Sequence, residues 1–263
     1  MSRNTANRTT DERTFRPPLS SDEHKQAEIE SHERALREAR PETFRKPFGK
    51  PWESDYWIKW ATITDALRRL GVDPPATILD VGCGSGWTTT FLAESGYSPL
   101  GIDLAPAMIE MAKRRAGRTR VDARFLVADM ETFTLGRQFE AALVFDALHH
   151  TTRQEATVQR IAAHLKPGAW VLFGEPSLLH HVSPAARRTH RDVGWVERGI
   201  GVRKLKRDCR RAGLGGFRRF FEGTGSYESR VGGFGWQLIR LAAANVAFAP
   251  RASIWLAAQR LEQ

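Results

Sequence analysis

The spacing of apolar and polar positions changes character at residue 76. Upstream, residues 55–70 (DYWIKWATITDALRRL) repeat apolar side chains at helical spacing until Gly71 and Pro74-Pro75 stop them. Residues 21–40 mix charges of both signs with few apolar side chains, and Pro41 ends the run. That pattern predicts a solvated helix held only loosely on the body. Residues 1–20 are polar and carry Pro17-Pro18, a mobile leader by composition, and Pro47, Gly49 and Pro51 make a linker. From residue 76 onward strands and helices alternate. Apolar, β-branched runs at 76–81, 97–102, 123–128, 141–145 and 170–173 read as strands. Helical segments at 88–95, 105–115 and 154–165 separate them, the last closed by Pro167-Gly168. Strands joined by helix-length segments mean a parallel sheet covered on both faces. Past Glu175, residues 177–201 show no clean period. A helix at 202–212, a strand at 217–221, a glycine-rich loop at 226–235, an apolar helix at 236–248 and a last strand at 253–258 follow. The expectation is a seven-stranded, mostly parallel α/β domain over residues 51–263, preceded by a helical extension over residues 1–50.

Composition narrows the class without changing this picture. The chain has 263 residues, 41% hydrophobic and 27% charged. Those are ordinary globular values, so wholesale disorder, a collagen repeat and a disulfide-stapled mini-protein are excluded. Two cysteines, Cys83 and Cys209, do not make a secreted disulfide framework. The first residues lack an apolar stretch, and no run of about 18 apolar residues occurs, so neither a signal peptide nor a spanning helix is expected. A cytoplasmic protein is the expectation, with peripheral membrane contact left open.

The segment with most chemical content is ILDVGCGSGW, residues 78–87. Its glycines follow a strand and open a helix, where bare backbone lets a ligand approach closely. The spacing is GxGxG, and Trp87 stands where the dinucleotide fingerprint requires its third glycine. Asp80, just before the turn, places a carboxylate where a cationic or hydrogen-bond-donating ligand is favoured and a pyrophosphate is not. Asp103 ends the next strand 21 positions after Gly82, the spacing at which a carboxylate accepts from both ribose hydroxyls. Asp129, followed by Met130, ends the third strand. Three carboxylates at three neighbouring strand ends converge on one crevice.

The runs ILDVGCGSGWTT, GIDLAPAMIEMA, VADMETF, FDALHH and LKPGAWVLFGEP together resemble the class I, Rossmann-like methyltransferases that use S-adenosylmethionine. The resemblance extends over about residues 55–260, with the motifs inside 76–176. It implies that Gly82, Cys83, Gly84 and Gly86 lie along the methionine part of the cofactor, with Asp80 near its amino group. It implies Asp103 on the ribose, Asp129 and Met130 at the adenine, Leu104 and Met108 near the adenine edge, and Phe145 on the inner side. Tyr56 and Trp57 fall where the leading helix of such proteins closes over the cofactor; plain core packing is the other reading of Trp57. No metal is implied, because the histidine spacing is not that of a metal motif.

Methyl transfer to a hydroxyl needs a group that takes the acceptor's proton. His149 and His150 follow the fourth strand and are the candidates, against the alternative of a capping and packing turn. His180-His181, beyond the fifth strand, reads as an acceptor loop or as surface. Residues 177–250 hold the acceptor-side insertions in such folds. No Asn-Pro-Pro-Tyr motif and no Pro-Cys pair occur, which counts against base-nitrogen and cytosine C5 methylation. O-methylation of a small-molecule, glycan or lipid-linked acceptor is the first expectation. An RNA methyltransferase comes second, and a non-catalytic cofactor-binding protein third. Charge bears on the choice. The net +10 resides entirely in residues 180–263, which carry 16 basic and 6 acidic side chains, whereas residues 51–179 are at −2. An anionic acceptor, or an anionic surface holding it, fits that division.

Overall fold

The computed structural model describes residues 20–38, 46–47, 55–178, 199–222 and 253–262. The predicted leader, the glycine-rich loop at 226–235, the apolar helix at 236–248 and His180-His181 lie outside these residues.

Among the described residues seven strands form one sheet: β1 Thr77–Val81, β2 Ser98–Asp103, β3 Arg124–Val127, β4 Phe139–Phe145, β5 Leu165–Pro176, β6 Leu214–Phe220 and β7 Ser253–Arg260. Their spatial order is β3-β2-β1-β4-β5-β7-β6. The first five are parallel, and β7 runs antiparallel between β5 and β6. Strand order reverses between β1 and β4, which opens a crevice at their carboxyl ends, the place where open α/β sheets bind ligands. Among the described residues the α-helices are α1 Ser21–Arg37, α2 Asp55–Arg69, α3 Trp87–Glu94, α4 Pro106–Thr119, α5 Gln154–Ala163 and α6 Val202–Arg211.

Period-two alternation in the central strands feeds two cores. Ala142 and Val144 of β4, Val171 and Phe173 of β5, and Leu256 of β7 join Val158 and Ile161 of α5 and Leu205 of α6 on one face. Leu143, Phe145, Leu172 and Trp255 join Ile63 and Leu67 of α2, with Trp87 and Leu92 of α3, on the other. Central strands buried on both faces have no polar period, which is why they read as continuous apolar runs.

Two elements differ from expectation. Pro167-Gly168 do not close a helix; α5 ends at Ala163 and both residues fall within β5. Phe139 pairs with Leu165, and an irregularity before the Ala141–Trp170 pair absorbs the proline, with Gly168 at φ 77°.

The second difference is α1, which is docked firmly. A capping box starts it: the Glu23 N–H donates to Ser20 Oγ, and the Ser20 N–H donates to Glu23 Oε2. Lys25 Nζ lies 2.7 Å from Asp129 and 2.9 Å from Glu131, and Ser21 Oγ lies 2.8 Å from Thr152 Oγ1. At the other end Leu36 packs against Ala105, Met108 and Met111. Burial resists ionisation of Glu131, but Lys25, Arg153 and Thr152 outweigh it and hold the carboxyl at about 2. Because that value is depressed, the latch's contribution is present above the ordinary carboxylate range and is lost as pH falls towards 2.

Candidate active site

After Val81 the chain turns through Gly82, Gly84 and Gly86, all with positive φ, into α3. The N–H groups of Gly82 and Cys83 donate to the Ile102 carbonyl at 2.8 and 3.0 Å, tying the turn to β2. The glycines serve different ends. A Cβ at Gly86 would lie 2.5 Å from Ala112 Cβ, so this glycine lets α4 pack closely. A Cβ at Gly84 would meet nothing within 4 Å; its backbone faces open space.

That space is a cavity of about 300 Å³, at the lower end of small-molecule pockets. Gly82, Cys83, Gly84 and Ser85 form its floor, with Trp87 and Thr88 at the start of α3. Met108, Met130 and Phe145 give it apolar walls, and Asp103, Asp146, Ala147 and His150 complete the strand side. Glu28 and His32 of α1, together with Lys46, line it from the N-terminal segment.

Asp103 is fixed at both oxygens. The Gly84 N–H donates to Oδ2 at 2.8 Å and the Ala105 N–H to Oδ1 at 2.9 Å. Turn and carboxylate therefore form one ledge. Burial raises the Asp103 carboxyl above the usual range, against the lowering effects of the Ala105 N–H, His32 and the Gly84 N–H. Asp146 follows β4 at φ 54°, with its N–H donating to the Gly174 carbonyl. Burial works against its charge, yet His149, Lys46, Lys59 and His150 hold its carboxyl well below the usual range.

The cavity thus brings together Gly82, Cys83, Gly84, Asp103, Met108, Met130, Phe145 and His150 from the expected set. The others lie outside its lining. Asp80 is buried, and its Oδ2 accepts the Thr88 and Thr89 hydroxyls, each at 2.6 Å. It clamps the start of α3, and burial lifts it to about 6 despite those bonds. Tyr56 meets Trp87 edge-on, while Trp57 is 45% exposed and packs against Phe91 on the outer side. Leu104 lies beyond the lining, and Asp129 Oδ2 is occupied by Lys25.

The adjacent histidines divide. His149 is buried, its Nδ1 2.9 Å from Glu175 Oε2. Glu175, itself fully buried, also accepts the N–H groups of Ala147, Leu148 and His149 at 3.1, 2.9 and 3.3 Å. His149 belongs to a packing turn; its ring lies tilted against that of His150 with centroids 4.0 Å apart, and of the two only His150 reaches the cavity. Burial first, then the His149 charge, pushes the proton affinity of His150 well below that of an ordinary histidine, although Asp146 pulls it back. Among the described residues no group of three or more His, Cys, Asp or Glu side chains is placed to hold a metal.

Besides Ser85, Trp87, Thr88, Asp146 and Ala147, which adjoin expected positions, sequence reading missed Glu28, His32 and Lys46. The available signal was His24, Glu28 and His32 at four-residue spacing, one face of α1. It was hidden in a charge-rich segment that resembles any solvated helix.

Residues 78–168 match the methyltransferase-domain family. The chain is 34% identical over 122 residues to dTDP-3-amino-3,6-dideoxy-alpha-D-glucopyranose N,N-dimethyltransferase of Streptomyces fradiae, covering 45% of this chain and 46% of that protein. It is 30% identical over 97 residues to the ubiquinone biosynthesis O-methyltransferase of Coxiella burnetii, covering 36% of this chain and 42% of that one. It thus spans less than half the length of these curated relatives. Among solved structures, magnesium protoporphyrin IX methyltransferase from Synechocystis with bound SAH superposes with a TM-score of 0.62 at 16% identity, over 90% of this chain and 99% of that one. That likeness shows the shared fold.

Proposed function

We propose that this chain is a Rossmann-like S-adenosylmethionine-dependent methyltransferase, a reading supported by its fold and by its matched segment, and that it methylates a small-molecule acceptor in the cavity at the β1–β4 crevice. The observation that carries the reading is the ledge made by Asp103 and the Gly84 N–H, where bare backbone and an anchored carboxylate meet in one cavity.

The residues suit the cofactor. Gly84 leaves room against its backbone, Asp103 keeps lone pairs for hydroxyl donors, and Met108, Met130 and Phe145 surround an apolar body. When bound, S-adenosylmethionine supplies an electrophilic methyl group on a sulfonium sulfur. The protein's part is alignment and proton transfer. Phe145 and Trp87 exclude water from the floor, their rings edge-on with centroids 5.7 Å apart. His150, kept neutral by burial, takes the proton of the acceptor hydroxyl, and Asp146 beside it stabilises the imidazolium that forms.

A small-molecule acceptor is supported by two relatives whose names specify a nucleotide sugar and ubiquinone biosynthesis. O-methylation of a small molecule, glycan or lipid-linked group, the first choice, is supported by the second name, whereas the first is that of an N,N-dimethyltransferase. The basic segment gives less support to RNA. On α6, Lys204 pairs with Asp208, Arg211 pairs with Glu155, and Lys206 and Arg210 lie over Phe217. None of these side chains lines the cavity. Among the described residues no helix is long and apolar enough to cross a membrane.

Calorimetry is expected to show S-adenosylmethionine binding, weakened by about 1–3 kcal/mol in Asp103→Ala through loss of charge-assisted hydrogen bonds. Absence of binding to the wild-type chain overturns the cofactor assignment. Labelled-methyl transfer into a fractionated cell extract identifies the acceptor class, and label recovered in RNA reverses the preference for a small molecule.

A further inference from the structure

Helix α1 does more than cover the sheet edge. It crosses the carboxyl ends of the strands, latched at Lys25 and packed at Leu36, and it turns Glu28 into the cavity. Among the described residues no hydrogen-bond donor reaches the Glu28 carboxylate. The cavity it enters carries both signs: Asp103 at the end of β2 and Asp146 after β4, against His32 on its own helix, Lys46, and His150 after β4; Asp129 and Glu131 after β3 and His149 act on it from beyond the lining. Lys25, on its own helix, is spent on Asp129 and Glu131. A carboxylate with no donor, in one cavity with the Asp103 carboxylate, is unfavourable until something supplies a hydrogen bond.

We propose that Glu28 is a ligand-binding residue of the cofactor site, accepting a hydrogen bond from the ribose hydroxyls assigned to Asp103 in the same cavity. The assignment rests on the cofactor reading above. A vicinal diol offers two O–H donors, and two carboxylates brought into one cavity from α1 and β2 match it. Lys25 is the positioning residue, since its latch fixes the turn of α1 that carries Glu28. Burial, then the Asp103 charge, lifts the Glu28 carboxyl to about 8, and Asp129 and Glu131 add to this while His149 opposes it. Ligand hydroxyls favour the ionised form, so binding releases a proton. The sign follows: affinity rises with pH up to about 8 and is level above it.

The test uses the full chain and S-adenosylhomocysteine, measured by calorimetry between pH 6 and pH 9 in two buffers of different ionisation enthalpy. The wild type is expected to gain affinity several-fold, up to about tenfold per pH unit, below the plateau, with net proton release. Glu28→Gln and Glu28→Ala are expected to bind about tenfold or more weakly at high pH and to lose the pH slope. Hydrogen exchange of residues 20–38 is expected to slow on binding in the wild type and to slow less in Glu28→Ala. Variants that bind within twofold of wild type with the same slope overturn the role of Glu28 while the cofactor reading stands. A slope that persists in the variants assigns the proton to His32 or Asp103 and equally overturns it. No binding by the wild type at any pH overturns the cofactor reading, and this inference with it.

Discussion

Glu175→Ala is expected to lower stability by about 3–5 kcal/mol, the cost of breaking a buried charged hydrogen-bonded cluster from one side. The side chain is fully buried and holds four donors: the N–H groups of Ala147, Leu148 and His149, and His149 Nδ1. Removing it leaves three backbone donors without their acceptor in a site where alanine offers none, and each unsatisfied group costs about 1–3 kcal/mol. For a chain of this size each kcal/mol lowers Tm by about 2–4 °C, so a fall of about 6–20 °C is expected. Glu175→Gln keeps the shape and one amide oxygen, and its loss is expected to be smaller. Urea unfolding decides the matter: midpoints should fall in the order wild type, Gln, Ala at a constant m value. An unchanged midpoint in Glu175→Ala would show that the turn does not depend on this carboxylate.

The second large effect separates two neighbours. His150→Ala is expected to lower turnover by about 10²–10⁴-fold while leaving cofactor affinity within about twofold, as for loss of a general base. His149→Ala is expected to act through stability instead, because Glu175 loses a partner, with turnover per folded molecule close to wild type. The acceptor recovered from the labelled extract provides the assay. Because His150 binds its proton less tightly than an ordinary histidine, the wild-type rate should persist below the usual histidine range near 6.5 as pH is lowered. Near-wild-type rates in both variants would remove histidine base catalysis from the mechanism.

Several residues of the cavity were legible because their chemistry is local. Gly84 and Asp103 announce themselves by position: a glycine turn after one strand, a carboxylate at the end of the next. Asp80 carried the same kind of signal, yet its carboxylate turns to the Thr88 and Thr89 hydroxyls of α3. Spacing placed it at the turn; side-chain direction leaves it outside the cavity lining. Asp129 was similarly readable as an acid at the third strand end, but nothing in its neighbourhood signalled Lys25, 104 positions earlier in the chain.

The sequence by itself determined the alternation of strands and helices, the parallel sheet, the glycine turn and the acidic strand ends. Those features rest on period, turn chemistry and spacing within a few tens of residues. Tertiary structure alone decided that α1 lies over the cavity and contributes Glu28, that His150 rather than His149 faces it, and that Glu175 holds the turn between them. Each is a contact between segments far apart in sequence. It depends on which way a side chain points after the layers have packed, and no local pattern encodes that.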